Sequence, residues 1–442
     1  MKSLTTVALC LIAISISAQG IKFTKGEFKE TLAKAEEQDK LVFIDFYTQW
    51  CGPCKSLSKH VFTQKQVGEF FNRHFVSIKM DAEAEGKELA RKNKVNAYPS
   101  LLFFNPQGEV LHRVVGAISA DELLSEAQYA MDAISDPNSF LELKKNYAAG
   151  KSDPEFLKRY IQVQKQQKEA PYDAINDYLK VQKDMKESYF EMMEFLLNNR
   201  RFLICGGEAE RILDANYDEF FDIATRREEE TLKQLKKDMI MRTRQYALAN
   251  NDSKTYELFM ERWNRQNPNS DGLINNDYWT IELLELKGES KALKKQARLY
   301  LNELLNTRSV KDIQAKDKAA YDAFCEKNKS QAGSYIIEAQ KKRLRYANAE
   351  QITSILLKVA KSYLSACRSK KDCKATAPWI DYGKQLMPND FRLPSFEADV
   401  LFVRKHYHEA IALKEAALNM MSSNDRGRKV VKTELEQMRQ AL

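Results

Sequence analysis

The chain has 442 residues, about three times the usual length of one domain, so several folded units are expected. Its 70 basic and 62 acidic residues give a net charge of only +8, which does not favour nucleic acid as a partner. The 7 cysteines are too few to staple such a chain, and the 5 histidines leave little room for metal chemistry. We therefore expect no metal, no cofactor and no bound nucleic acid.

Residues 1–18 have the features of a secretory signal peptide. Lys2 provides a positive start, the run LTTVALCLIAISIS is apolar but too short to span a bilayer, and Ala18 is small enough for a cleaving peptidase. Cys10 follows the bulky Leu9, which argues against a lipid-attachment site. The sequence therefore predicts a protein secreted to the periplasm, which is an oxidising compartment.

An α/β domain is predicted at residues 19–135, because short apolar runs alternate there with amphipathic stretches. The expected strands are residues 41–47, 75–81, 100–105 and 109–115. The expected helices are residues 25–38, 53–71, 86–92 and 120–134. The turn NPQG would fold the last strand back antiparallel on its predecessor. The pattern indicates one sheet covered by helices.

The stretch FIDFYTQWCGPCKSL joins the first of these strands to a helix through Cys51 and Cys54. A CxxC pair can be half of a zinc site, a structural disulfide or a redox centre, and the chain has no second CxxC or HxxxH pair to complete a zinc site. A helix N-terminus lowers the pKa of the first cysteine, which predicts Cys51 as the exposed attacking thiolate and Cys54 as the protected resolving thiol. Pro53 suits the first helical turn, and Gly52 allows a substrate backbone to approach.

The segment WCGPCK, residues 50–55, resembles the active-site signature of the thioredoxin family. The segment AYPSLLFF, residues 97–104, is similar to the part of these proteins that holds a cis-proline, and GEVLHRVVGAISADEL resembles their final hairpin and helix. The similarity extends over residues 21–134. It implies a thioredoxin fold and thiol:disulfide exchange as the activity.

The resemblance also implies roles for individual residues. Asp45 would be the buried acid that relays a proton from Cys54, and Pro99 would be cis and face the attacking sulfur. The Tyr98 backbone would pair with the substrate chain, and Trp50 would divide its surface between packing and recognition. In the family a lysine accompanies the acid, and the aligned position here is read as Ser77.

The region after the segment SDPNS is predicted to be helical, because Lys, Glu, Gln, Leu, Ala and Tyr recur there at helical spacing. Residues 136–356 form helices without a dependable register, and residues 357–442 form tetratricopeptide-like repeats with a polar capping helix. Two frames, residues 357–390 and 391–424, have the 34-residue period of that repeat. The second frame carries residues typical of the contact between its two helices, namely Ala398, Leu401, Tyr407, Ala410 and Ala417.

Four cysteines lie in the helical region. Cys367 and Cys373 bracket the segment RSKKD, and a structural disulfide between them would staple one helical hairpin. Cys205 and Cys325 have no neighbour in sequence, so each is predicted to be a small buried apolar residue, although a long-range bridge stays open.

Two classes of function fit these observations. The first is an extracytoplasmic thiol:disulfide oxidoreductase that reduces protein disulfides and is itself re-reduced by a membrane-bound thiol donor. In the second, the chain is a non-catalytic scaffold that binds proteins and uses its thioredoxin-like domain for recognition. In either case a helical-repeat surface suits a protein or peptide ligand.

Overall fold

The computed structural model describes residues 20–182, 189–268, 272–329, 333–367, 370–422, 425 and 427–441. The signal peptide predicted at residues 1–18 lies outside this part of the chain. The described chain forms two compact units, the first reaching to Leu203 and including Gly207–Ala224, the second formed by Ile204–Gly206 and the chain from Thr225 onward. None of the helices described is both long and apolar enough to cross a lipid bilayer.

The first unit contains all five strands that the structure describes, eleven α-helices and one short 3-10 helix, Arg200–Phe202. The strands are β1 Phe23–Thr24, β2 Leu41–Tyr47, β3 Phe75–Asp81, β4 Ser100–Phe104 and β5 Val110–Val115. The helices are α1 Phe28–Glu37, α2 Gly52–His60, α3 Lys65–His74, α4 Lys87–Lys92, α5 Ala120–Asp132, α6 Phe140–Ala148, α7 Pro154–Gln166, α8 Tyr172–Val181, α9 Tyr189–Asn199, α10 Glu208–Ala215 and α11 Tyr217–Ile223.

The described part of the second unit consists of helices and the loops that connect them, without a strand. Its helices are α12 Arg226–Asn250, α13 Ser253–Gln266, α14 Asn276–Leu286, α15 Ser290–Thr307, α16 Val310–Lys327, α17 Tyr335–Leu344, α18 Ala347–Ser365, α19 Lys370–Cys373, α20 Ala377–Leu386, α21 Arg392–Val403, α22 Tyr407–Asn419 and α23 Arg428–Gln440. The expected α/β domain followed by an all-α region is therefore confirmed.

The sheet has the strand order β1-β3-β2-β4-β5. Strands β1, β3 and β2 run parallel, whereas β4 is antiparallel to both β2 and β5. Every residue of β2 from Leu41 to Phe46 is buried, because helices cover both faces of the sheet, and this burial explains the nearly continuous apolar run in the sequence. One face packs around Phe43, the other around Ile44.

The predicted helix over residues 53–71 is two helices in the structure, α2 and α3. The break falls at Val61 and Phe62, whose side chains turn into the core. The carbonyl oxygen of Phe62 accepts a hydrogen bond from the Ile21 amide at 2.8 Å, which holds the segment before β1 against this turn. Burial of these two apolar side chains competes with continuation of the helix and stabilises the break.

Helices beyond residue 135 complete the edge of the sheet. Leu141 of α6 belongs to the same buried cluster as Phe43 and Phe71. The side chain of Gln167, just after α7, accepts a hydrogen bond from the Arg113 amide at 2.9 Å and lies 3.0 Å from the ring nitrogen Nδ1 of His112. Since β5 is an edge strand, this amide side chain satisfies a backbone donor that would otherwise be open to another chain.

Helices α21 and α22 form a closely packed pair in the predicted second repeat frame. The small side chains of Ala398, Ala410 and Ala417 are fully buried, which lets the two helix backbones approach. The connection between the helices is three residues long, as expected for neighbouring helices in a hairpin. The assignment of this pair to the tetratricopeptide class stays a prediction.

A buried ammonium joins α21, α22 and α23. The Lys414 side chain has no exposed surface, and its Nζ lies 2.5 Å from Asp399 and 2.7 Å from Glu434. The same nitrogen donates to the Ser395 hydroxyl at 2.9 Å. These contacts satisfy the charge, which would be costly to bury alone.

Replacement of this lysine should destabilise the helical hairpin. Lys414→Met leaves two carboxylates facing each other without the ammonium between them, so we expect the free energy of unfolding to fall by about 3 kcal/mol. Chemical denaturation followed by circular dichroism measures the change. Lys432→Met, on α23, removes an exposed charge and should change stability by less than about 0.5 kcal/mol. Equal stability of the two variants would contradict the assignment of a structural role to Lys414.

Candidate redox site

Cys51 and Cys54 form a disulfide at the N-terminus of α2. Cys51 is the residue that caps this helix, and its Sγ accepts a hydrogen bond from the Cys54 amide at 3.1 Å. Pro53 occupies the first turn, where its missing N–H leaves no hydrogen bond unmade. The amide and the partial positive charge of the helix end both stabilise negative charge on the Cys51 sulfur once the disulfide is opened.

The two cysteines are equally buried in this disulfide form, each with only 2% of its surface exposed. Cys51 is therefore no more exposed than Cys54 in the disulfide state, and its exposure as a free thiolate stays a prediction. The disulfide bond holds the first sulfur against the helix end, where it accepts the Cys54 amide. Gly52 by contrast is exposed, and a Cβ added there would meet nothing within 4 Å, so open space adjoins the disulfide.

Asp45 is fully buried in β2 on the face of the sheet that α2 covers. Its register partner on β3 is Lys79, whose Nζ lies 3.2 Å from the carboxylate. The alignment of Ser77 with the family's lysine is therefore wrong, since Ser77 lies opposite Phe43. Lys79 also contacts the Ser58 hydroxyl of α2, which links the ion pair to the helix that bears the cysteines.

The environment of Asp45 favours its protonated form. Burial raises the pKa of this carboxyl group from 3.8 to about 6, and the ammonium of Lys79 offsets only part of the rise. Apart from the ion pair with Lys79, neither carboxylate oxygen has a hydrogen-bond partner among the described residues. A carboxyl group that titrates close to neutral pH is suited to accept and return a proton.

The aromatic side chains beside the disulfide come from two loops. Trp50 is 54% exposed, and its ring lies 6.0 Å from that of Tyr98 in an edge-on arrangement. The Tyr98–Pro99 peptide bond is cis, as the family resemblance implies. No group of the described chain bonds the main-chain N–H or C=O of Tyr98, whereas the Pro99 carbonyl accepts the Gly116 amide at 2.9 Å. The loop that contains Tyr98 and Pro99 is thus anchored through the Pro99 carbonyl, while the main-chain groups of Tyr98 stay open for a ligand.

Acidic residues at the end of β3 and just after it fix the loop that precedes Cys51. The indole N–H of Trp50 donates to Glu83 at 2.9 Å, and the Gln49 amide donates to Asp81 at 2.9 Å. Burial first, then Glu83 and Asp81, raise the pKa of the Tyr98 phenol. Neither Glu83 nor Asp81 was among the predicted site residues. A signal was present, because parallel strands β2 and β3 end at the same sheet edge and Asp81 is the last residue of β3.

The other cysteines of the described chain lie in the second unit. Cys367 and Cys373 are both buried and close enough for their thiols to interact, and Cys367 also donates to the Tyr363 carbonyl at 3.3 Å. Burial is the main cause that raises the pKa of Cys367 to about 12. Their disulfide stays a prediction. Cys205 is buried and Cys325 is half-buried.

Comparisons with known proteins find relatives of the first part of the chain. A family model for a thioredoxin-like domain matches residues 28–131. Thioredoxin-1 of Saccharomyces cerevisiae is 38% identical over 94 residues, which is 21% of this chain and 82% of the yeast protein. The thiol:disulfide interchange protein DsbD of Vibrio cholerae is 35% identical over 96 residues, 20% of this chain and 16% of that protein. The solution structure of a proposed disulphide-isomerase from Bacteroides thetaiotaomicron is 50% identical, with a TM-score of 0.25, over 27% of this chain and 98% of its own.

The raised pKa of Asp45 predicts how the free energy of unfolding changes with pH. Between pH 3.8 and about 6 the folded chain keeps a proton on Asp45 that the unfolded chain has lost, so the free energy of unfolding falls as pH rises through this window. Asp45→Asn removes this cost. It should stabilise the oxidised first unit by about 3 kcal/mol at pH 8 and have little effect at pH 4.

Hydrogen exchange of the β2 and β3 amides in increasing denaturant, corrected for the intrinsic exchange rate, measures this difference for the first unit alone. Glu37→Gln, an exposed carboxylate of α1, is the matched control and should change stability by less than about 0.5 kcal/mol. A stabilisation by Asp45→Asn of the same size at both pH values would contradict the raised pKa.

Proposed function

Because the chain is a thiol:disulfide oxidoreductase of the thioredoxin family, we propose that it reduces disulfide bonds of client proteins outside the cytoplasm. The observation that carries the proposal is the placement of Cys51 at the N-terminus of α2, with its sulfur accepting the Cys54 amide at 3.1 Å. This arrangement stabilises a thiolate on the cysteine that begins the exchange.

In the reduced enzyme, the Cys51 thiolate attacks one sulfur of the client disulfide. A bond forms between Cys51 and the client, and the second client sulfur leaves as a thiolate that takes up a proton. Cys54 lies one helical turn along α2, and its sulfur is within bonding distance of Cys51, since the two form the disulfide of the oxidised state. The resolving thiol is therefore already in place when the mixed disulfide forms.

Asp45 serves the second exchange. Cys54 must lose its proton before its thiolate can attack Cys51 and release the client as a dithiol. A carboxyl group whose pKa is about 6 is ionised at neutral pH and can accept that proton. Lys79 keeps the carboxylate from becoming too basic, because its ammonium lowers the pKa that burial alone would give. Two electrons pass to the client, and the Cys51–Cys54 disulfide remains.

The open loop surface is suited to hold an extended client segment. The main-chain groups of Tyr98 are available for pairing with a peptide backbone, while Trp50 offers an exposed ring beside it. The hydrogen bond from Trp50 to Glu83 fixes the ring before a client arrives, which reduces the entropy lost on binding. Gly52 leaves space for the client chain next to the reacting sulfurs.

The direction and the place of the reaction rest on the sequence. The dipeptide between the cysteines is Gly-Pro, as in thioredoxin, whose potential of about −270 mV is far more reducing than the about −120 mV of the strong oxidant DsbA. The predicted signal peptide supports a periplasmic location. In an oxidising compartment a reductase needs an external source of electrons. The similarity to thiol:disulfide interchange proteins supports a thiol as that donor, and we propose that the donor is membrane-bound.

Loss of the attacking sulfur should abolish catalysis. Cys51→Ser is expected to lower the rate of insulin reduction, assayed with dithiothreitol as the donor, to that of dithiothreitol alone, because serine is not a nucleophile for disulfides at neutral pH. Cys325→Ser is the matched control, since Cys325 is the half-buried cysteine of the second unit, and should keep the wild-type rate. Insulin reduction by Cys51→Ser at the wild-type rate would overturn the assignment and favour the scaffold function.

A further inference from the structure

A cavity of about 810 Å³ lies between helices of the second unit, well within the volume of a ligand site. Its apolar lining comes from different helices and loops, with Phe324 from α16, Leu344 from α17, Tyr346 just before α18, and Met387 just after α20. None of these four side chains is fully buried. The cavity is therefore a partly apolar concavity that reaches the surface.

Two cations line the same cavity without a carboxylate partner in the described chain. Lys341, Lys342, Arg343 and Arg345 all belong to the basic segment KKRLRY, but their surroundings differ. Lys341 pairs with a glutamate one turn earlier in α17, and the Arg345 guanidinium lies over a tyrosine ring of α16. Lys342 and Arg343 line the cavity, and no ion pair is formed by either among the described residues. The positive charge at this wall is thus open to an external anion.

The one carboxylate at the cavity does not cancel this charge. Glu350 lines the same cavity, but its carboxylate is bound by Arg392 at 2.8 Å. Arg392 also pairs with Asp390 at 2.5 Å, so these three groups together with Lys342 and Arg343 leave one net positive charge at the wall. A negatively charged group on a ligand would therefore complement the positive charge of this wall.

Helix α17 extends the cavity wall along one direction. Ile336 lies four residues before Gln340 and seven before Arg343, so the three share one face of the helix. Gln340 and Arg343 line the cavity, while Ile336 is 66% exposed. The apolar surface consequently continues one helical turn beyond the cavity, which favours an elongated ligand over a compact one.

We propose that the cavity between α16, α17, α18 and α20 binds an extended peptide segment in which acidic and large apolar residues alternate. The apolar residues enter the concavity beside Phe324 and Met387, and the acidic residues meet Lys342 and Arg343. A nucleic acid fits less well, because only two open cations stand at a wall with an apolar floor. The proposal does not depend on the thiol chemistry of the first unit.

Fluorescence anisotropy on the full chain tests this binding. The probe is the fluorescein-labelled peptide Gly-Glu-Leu-Asp-Phe-Glu-Leu-Gly, and the matched peptide has Gln and Asn in place of its acidic residues. We expect the acidic peptide to bind about tenfold or more tightly than its neutral counterpart. The double variant Lys342→Glu/Arg343→Glu should weaken binding of the acidic peptide by at least about tenfold.

A charge-matched variant separates this site from general attraction. Lys311→Glu/Lys316→Glu reverses two exposed charges on α16 that do not line the cavity, and it should bind the acidic peptide within about twofold of the wild type. Equal weakening by both double variants, or no binding of the acidic peptide to the wild type, overturns the proposal. Tighter binding of a labelled oligothymidylate than of the peptide overturns it in favour of a nucleic-acid surface.

Hydrogen exchange on the wild-type chain tests the site without any substitution, so the result does not depend on whether a variant folds. The bound peptide should slow amide exchange in α17 and in the first turns of α18, and leave α12 and α13 unchanged. Protection confined to other helices would place the peptide elsewhere and contradict the proposal. Because neither measurement involves Cys51, a negative result here leaves the proposed redox function unaffected.

Discussion

The parallel pairing of β2 with β3 is the constraint on which the redox site depends. Its register places Asp45 beside Lys79 in the middle of the sheet. Because the strands run in the same direction, their ends bring two loops to the same edge, one with Trp50 and Cys51, the other with Glu83. A shift of this register by one residue would turn Asp45 to the other face of the sheet and separate it from α2.

The same pairing creates a conflict between stability and chemistry. A carboxyl group inside an apolar sheet, with Lys79 as its one polar partner in the described chain, costs free energy whenever it is ionised. The Lys79 ammonium at 3.2 Å reduces that cost but leaves the pKa of Asp45 near 6. A proton acceptor close to neutral pH is useful for the resolving step, so the fold retains a group that an optimally stable core would replace.

Much of this site could be predicted from the sequence, because its parts are local. The CxxC after a buried strand and the Tyr98–Pro99 segment each carry a short pattern with a clear physical reason. What failed depended on contacts between distant segments. Lys79 and Ser77 both lie on β3, and only the register of β2 against β3 shows that Lys79 is the one that pairs with Asp45. The side chain that accepts the backbone N–H of Arg113 in β5 is Gln167, about fifty residues later in the chain, and no local pattern in the sequence marks it. The segment KKRLRY suggests only a solvated helix face until the packing of α16 and α20 places a cavity beside it.

The central claim is that Cys51 attacks client disulfides and Cys54 releases them, and trapping the mixed disulfide in the native host tests it most directly. Cys54→Ala removes the resolving thiol, so a client attacked by Cys51 should stay covalently attached and be identified by mass spectrometry. Cys51→Ala in parallel controls for the other cysteines. The account predicts discrete, reducible adducts with Cys54→Ala that are absent with Cys51→Ala. Identical adducts from both variants, or only non-covalent partners, would contradict it.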